Sequence, residues 1–256
     1  PEDARTVRNK VRKFVQEECH PAEETCTADN FESVLAELRG KARAQGLWCP
    51  FIPQEHGGMG LRPLANALVQ MELGESFLGA LSMNTQGPDD ATMLTLLEHG
   101  TDHQKEKFLK PLLNGEKRIC YSMTEKAAGA DATGMQTTAV LEGDEWVLNG
   151  EKWFSSSASV ADIAVVMAKT DPDAPRHEQY STFIVELPNA GYEIVRNIET
   201  MQPHTELGLK LGGSHSEINI ENLRVPRENI LGGRGQGFNM GQHRLAYGRL
   251  RHGMHN

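Results

Sequence analysis

The chain has 256 residues, of which 38% are hydrophobic and 24% charged, and that length accommodates two compact units at ~100–200 residues each. A formal net charge of −9 argues against a nucleic-acid partner, which needs clustered Lys and Arg, and no apolar run approaches the ~20 residues that span a bilayer. Cys19, Cys26, Cys49 and Cys120 form no CxxC pair, which argues against a disulfide framework or thiolate zinc cluster and fits a reducing compartment.

Before residue 117 the pattern is helical. Val7, Val11, Phe14 and Val15 recur at helix spacing, as do Leu35, Leu38 and Ala42, then Leu64, Leu68 and Met71, and finally Phe108, Leu109 and Leu112. Pro21, the Pro50 to Gly60 stretch and Gly87-Pro88 separate these runs. An all-helical domain with one long loop is expected over 1–117. From Arg118 the signal changes to strands. Trp146-Val147-Leu148 leads into Asn149-Gly150, a hairpin cue, and Glu151 to Phe154 continues beyond it. Ile163 to Ala168, Thr182 to Val185, Tyr192 to Val195 and Ile218 to Val225 are further β-branched-rich runs. Six or seven short strands predict an antiparallel β-barrel or sandwich over 118–226; the connections are too short or too rich in Gly and Pro for a parallel α/β sheet. After the loop Gly232 to Phe238 a helix is predicted over Asn239 to Met254. The segment 227–256 then reads as the first helix of a C-terminal helical bundle whose remainder is expected to be absent from this chain. The fold class is α+β, in several domains.

Trp153 and Phe154 are adjacent on a predicted strand and should point to opposite faces, one into the core and one lining a site. Both could be ordinary packing, but Ser155-Ser156-Ser157 directly after them is poor core material and good hydrogen-bonding material. Ala127 to Ala130, all small, let backbone N–H groups approach a ligand closely. Together these features suit a flat, polar, redox-active ring. Gly232 to Gly237 lacks the strand–turn–helix setting of a dinucleotide loop and reads as a turn. His99 and His103 have metal-compatible spacing, but Gly100 intervenes, Asp102 is the only obvious partner and no acidic general base follows, so no metal site is expected. His252 and His255 read as surface residues, and Gly213-Ser214-His215-Ser216 as a loop before a strand. No serine-nucleophile motif is present. Arg244, Arg249 and Arg251 offer a local basic patch for an anionic substrate, or else a solvated helix face.

Tyr121-Ser122-Met123-Thr124-Glu125, Gly129-Ala130-Asp131 and Asn149 to Ser156 follow in order at family-like spacing. So do Leu209 to Ser214, Arg224-Val225-Pro226, Asn229 to Gly232 and Gly237-Phe238. This order resembles the acyl-CoA dehydrogenases over the whole chain, and Tyr247-Gly248-Arg249 is most similar to the branch acting on longer acyl chains. The resemblance implies FAD as cofactor and an acyl-CoA thioester as substrate, enclosed by an N-terminal helical, a middle β and a C-terminal helical domain. It implies α,β-dehydrogenation to a trans-2-enoyl-CoA, as in fatty acid β-oxidation, with electrons passed to an electron-transfer flavoprotein. It also implies a homodimer or homotetramer in a bacterial cytoplasm or mitochondrial matrix.

Carried over residue by residue, the resemblance puts Tyr121, Met123, Thr124, Gly129, Ala130, Phe154, Ser155 and Ser156 at the flavin, with Phe154 against the ring system and Ser156 near its N5. Ala130, Thr170, Gly248 and Arg249 would face the substrate. Ala130 stands where the family has a serine, and Phe154 where it often has tryptophan. Some members carry the catalytic glutamate at the position of Gly248, so no residue here is expected to be the catalytic base. Two other readings stay open: an acyl-CoA oxidase or flavin monooxygenase relative using O2, and a non-catalytic fragment.

Overall fold

Two proline-led helices explain the most irregular features of the N-terminal half. A computed structural model describes residues 2–201 and 205–255, without the side chains of Leu250, Arg251, His252, Met254 and His255. The expectations for Arg251, His252 and His255 therefore fall outside the described residues. Helix α1, Glu2–Phe14, carries Glu2 and Asp3 in its first turn and Arg12 and Lys13 in its last, complementing the helix dipole, and buries Ala4, Val11 and Phe14. It runs into a π-turn at Val15–Cys19, just before Pro21 in His20–Glu23; a second π-turn, Lys105–Leu109, precedes Pro111 in Lys110–Leu113. Proline lacks an N–H and its ring crowds the carbonyl four residues back, so a widened turn lets the helix continue. Helix α2, Phe31–Ala44, buries Phe31, Leu35, Leu38 and Ala42 at the expected spacing.

Helix α3, Pro63–Leu73, departs from its pattern. Its buried residues are Ala65, Asn66, Val69, Gln70, Glu72 and Leu73, whereas Leu64 and Met71 are exposed. The polar inner face is held by specific partners. Arg12 grips Glu72 with two 2.8 Å hydrogen bonds from Nε and Nη2, and Gln70 donates to the Thr85 hydroxyl at 3.0 Å. The spacing gave the helix correctly but the wrong side of it. Helix α4, Asp89–His99, follows. The chain divides into two compact units, residues 1–94 with 245–256, and residues 95–244.

Helical structure continues to Leu113 and the first strand opens at Ile119. The sheet comprises β1 Ile119–Ser122, β2 Thr138–Glu142, β3 Glu145–Ser156, β4 Ile163–Lys169, β5 Tyr180–Glu186, β6 Tyr192–Asn197, β7 His215–Pro226 and β8 Ile230–Leu231. Its order is β6-β7-β3-β2-β4-β5-β8, with β1 paired to β4. Pairing is antiparallel except for β1 with β4 and one parallel contact, Thr138 with Lys169, that joins the two halves. Seven strands contribute to one core, including Cys120, Ala139, Trp146, Leu148, Val166, Phe183, Tyr192 and Ile218. Strand β4 is buried on both faces: Ala164, Val166 and Ala168 enter that core, while Met167 meets Ala128, Met135 and Tyr180, with Met123 and Phe238 packed against them. Two-sided burial explains why β4 reads as a continuous apolar run. Helix α5, Gly237–His255, closes the chain.

The Asn149-Gly150 hairpin is not formed. The turn lies at Gly143-Asp144, between β2 and β3, where Glu142 pairs with Glu145. Asn149-Gly150 sits inside the twelve-residue β3 at a bulge, where the register against β7 shifts between Leu148 and Gly150. Glycine is required there because a Cβ would lie 2.6 Å from the Thr137 Cα, and the Asn149 Oδ1 accepts from the Asn222 N–H at 2.8 Å.

Candidate functional site

A second irregularity in β3 builds the site. Register against β7 shifts again between Lys152 and Ser155, and Phe154 adopts φ +56°, a left-handed conformation that is costly for a bulky L-residue. The extra residue turns the strand over. Lys152, before it at the inward parity of Leu148, and Ser155, after it, are both fully buried, while Phe154 is 45% exposed. Trp153 and Phe154 therefore do not point to opposite faces, as simple alternation predicts; their rings touch edge to face at 5.6 Å, and neither enters the core. Trp153 is flanked by Lys126 at 5.0 Å and Arg196 at 5.5 Å from its ring. Those two cations share Glu217, whose carboxyl they hold below its ordinary range by hydrogen bonding. Trp153 is thus clamped, and Phe154 is the ring left presented.

Residues 122–125 lie alongside this bulge. The Trp153 N–H donates to the Thr124 carbonyl at 2.7 Å, and Ser155 Oγ donates to Ser122 Oγ at 2.9 Å. Ser122 Oγ meets the Tyr192 hydroxyl at 2.8 Å, with Cys120 Sγ at 3.6 Å from the same oxygen. Burial, and then the neighbouring Cys120, push the Tyr192 phenol well above its ordinary pKa, so it serves as a neutral buried anchor. Ser156 Oγ lies 2.9 Å from His215 Nδ1. His215 opens β7, where a loop was expected.

A buried ion pair fastens the loop to the strand. Lys152 Nζ donates to Glu125 Oε1 at 2.8 Å and to the Met123 carbonyl at 3.0 Å. Glu125 also accepts from the amides of Gln136 at 2.5 Å and Thr137 at 3.0 Å. Burial lowers the Lys152 pKa to about 8 against the upward pull of Glu125, and the ammonium stays charged at neutral pH. Burial works to raise Glu125, but Lys152 and the amides outweigh it, leaving the carboxyl below its ordinary value. A depressed carboxylate contributes stability that is present above the unfolded-state pKa and lost as pH falls through the folded one. We therefore expect Glu125→Gln to be less stable than the parent chain at pH 7. In urea unfolding followed from pH 7 to 3, that difference should narrow below the ordinary value of 4.5; a constant difference contradicts the assignment.

Further along, Asp131 accepts from the Thr133 N–H at 3.0 Å and pairs with Arg176 at 2.5 Å, and the Tyr180 hydroxyl donates to the Thr133 carbonyl. With both ends pinned, Ala127, Gly129 and Ala130 remain exposed, and a Cβ added to Gly129 would meet nothing within 4 Å. Tyr121, Met123, Thr124, Phe154, Ser155 and Ser156 are thus brought together around the bulge. The Tyr121 ring is turned toward α5, with Arg244 Cζ 4.0 Å from its centroid, so its backbone is the part nearer the bulge. Thr170 makes other contacts: it is buried and its hydroxyl meets Ser181 Oγ at 2.8 Å. Gly248 and Arg249 belong to the other compact unit. Among the described residues no group of three or more His, Cys, Asp or Glu could hold a metal ion.

Sequence reasoning missed Glu125, Lys152, Tyr192 and His215. One signal was available for Lys152: a lysine between Leu148 and Phe154 at inward strand parity is out of place unless paired.

A helical N-terminal region followed by a β-sheet domain with a ring-bearing bulge defines a class of fold that comparison with known proteins identifies. Residues 1–116 match the family model for the acyl-CoA dehydrogenase N-terminal domain and residues 120–222 that for the middle domain. The chain belongs to the acyl-CoA dehydrogenase family. It is 34% identical over 266 residues to acyl-CoA dehydrogenase family member 10 of Mus musculus, across 98% of this chain but only 24% of that protein's length. A solved structure described as an acyl-CoA dehydrogenase from Mycobacterium abscessus superimposes with a TM-score of 0.88 at 32% identity, covering 100% of this chain and 66% of that one. The structure of an acyl-CoA dehydrogenase from Bacillus anthracis complexed with FAD gives 0.76 at 29% identity, covering 100% and 41%.

Proposed function

We propose that the β3 bulge and the loop 121–130 hold FAD, and that the chain is the cofactor-bearing part of an enzyme that dehydrogenates acyl-CoA thioesters. One observation carries the reading: Phe154 is held at φ +56° and is 45% exposed, while Lys152 before it and Ser155 after it along β3 are fully buried. Backbone strain at a half-exposed aromatic persists only where the surroundings over-determine it, and such outliers cluster at ligand sites. The residues suit a flavin. Phe154 offers a face for a flat ring, Ser156 a hydroxyl, and the exposed Gly129-Ala130 backbone an approach unobstructed by side chains.

Bound FAD would supply the acceptor for the hydride leaving the β-carbon of the thioester. The protein residues do the remaining work. Lys152 and Glu125 fix the carbonyl of Met123 and the course of the loop. Ser122, Ser155 and Tyr192 close the underside of the bulge with buried hydroxyls and exclude water from it. Gly248 carries no side chain that could take the α-proton, so no base is assigned among these residues. Passage of electrons to an electron-transfer flavoprotein belongs to the same proposal and is supported by membership of the family.

The test is an anaerobic titration of the FAD-loaded chain with octanoyl-CoA, followed at the visible flavin band. Bleaching supports dehydrogenation and requires a base. A bound flavin that stays yellow leaves the cofactor assignment standing and removes the activity from this chain.

A further inference from the structure

His215 touches both side chains that the proposed flavin site presents. Its Nδ1 lies 2.9 Å from Ser156 Oγ, its ring meets Phe154 edge to face with centroids 6.2 Å apart, and it is the register partner of Ser156 across β3 and β7. A serine hydroxyl has one proton and two lone pairs, and an imidazole Nδ1 either donates or accepts according to tautomer. The two groups are therefore coupled. If Nδ1 donates to Ser156 Oγ, the serine proton is free to point outward; if Nδ1 accepts, the serine can only accept from outside. A flavin N5 accepts a hydrogen bond when oxidised and carries N–H when reduced, so a partner there must be able to reverse its direction.

We propose that His215 is a positioning residue that sets the direction of the Ser156 hydroxyl toward the cofactor and lets it reverse. This rests on the FAD reading above. The imidazole suits the role because tautomer exchange reverses the Ser156–His215 bond without moving either side chain. Its edge contact with Phe154 ties the same histidine to the presented ring, so the hydroxyl and the aromatic keep one relative placement. An asparagine at this position offers a donor and an acceptor and should preserve part of the function, whereas phenylalanine keeps the ring contact and loses the hydrogen bond.

The experiment measures FAD affinity by flavin fluorescence and the shape of the bound visible spectrum for the parent chain, His215→Phe, His215→Asn, Ser156→Ala and the His215→Phe/Ser156→Ala double variant. Thermal unfolding of each without FAD accompanies these measurements. Loss of one neutral hydrogen bond corresponds to roughly a threefold to tenfold fall in affinity. We expect that fall, with an altered band shape, for His215→Phe, a smaller fall for His215→Asn, and no additional loss when His215→Phe is added to Ser156→Ala. Parental affinity and spectrum in His215→Phe, or an equal further loss in the Ser156→Ala background, overturn the inference. A parent chain that binds no FAD overturns the FAD reading itself, and this inference with it.

Discussion

Lys152→Met is expected to lower the unfolding free energy by about 3–5 kcal/mol, the usual cost of leaving one member of a buried ion pair without its partner. Methionine fills nearly the same volume, so the loss isolates the charge. Glu125 would remain 3% exposed with two backbone amides and no cation, and the Met123 carbonyl would lose its donor. Removing both charges should behave differently. An apolar replacement of a whole buried pair is often close to neutral, so Lys152→Met/Glu125→Leu should recover much of the lost stability in urea unfolding. It should not recover FAD affinity, because the loop then has no anchor at Met123. A double variant as unstable as the single one would mean that Lys152 acts through packing rather than through charge. With total stabilities of roughly 5–15 kcal/mol for a folded domain, the single variant should be measured in the cold.

The second large effect separates stability from binding. Phe154→Gly removes a side chain from a left-handed position, which relieves roughly 1–2 kcal/mol of strain. It also gives up a half-exposed ring and adds chain entropy in the unfolded state. These terms nearly cancel, so the unfolding free energy should move by less than about 1 kcal/mol. FAD affinity should fall about tenfold or more, since stacking of a flat ring and the area it covers both vanish. Phe154→Ala should lose binding similarly while keeping the strain, and so be the less stable of the two. Equal FAD affinity in the parent chain and both variants would remove Phe154 from the site.

Much of the fold was legible because it depends on periodicity alone. The alternating and continuous apolar runs placed β4 to β7 within a few residues, and the spacing of Leu35, Leu38 and Ala42 gave α2 with its inner face. What periodicity could not supply was direction. Helix α3 was found, yet its inner face is the one carrying Asn66, Gln70 and Glu72, because partners distant in sequence, Arg12 and Thr85, satisfy those groups. Strand β3 shows the same limit. The first register shift adds its residue on β7, between Ile220 and Leu223, and the second adds one on β3, between Lys152 and Ser155, where it inverts the side chains that follow. That inversion brought Trp153 and Phe154 onto one side and buried Ser155, whereas the Gly143-Asp144 turn and the inward position of Lys152 lie before it. The site residues at Tyr121 to Ala130 and Phe154 to Ser156 came from resemblance in motif order. The groups that hold them in place, Glu125, Lys152, Tyr192 and His215, came only from the structure, since their pairing spans 27 to 70 residues of sequence.

The most direct test of the account is an FAD titration of the purified chain, read as the visible difference spectrum and repeated with Phe154→Ala. Saturable binding with a perturbed flavin band, weakened about tenfold or more in the variant, is the predicted result. No perturbation of the band at any FAD concentration, or an identical curve for the variant, would contradict the claim that the β3 bulge is a flavin platform.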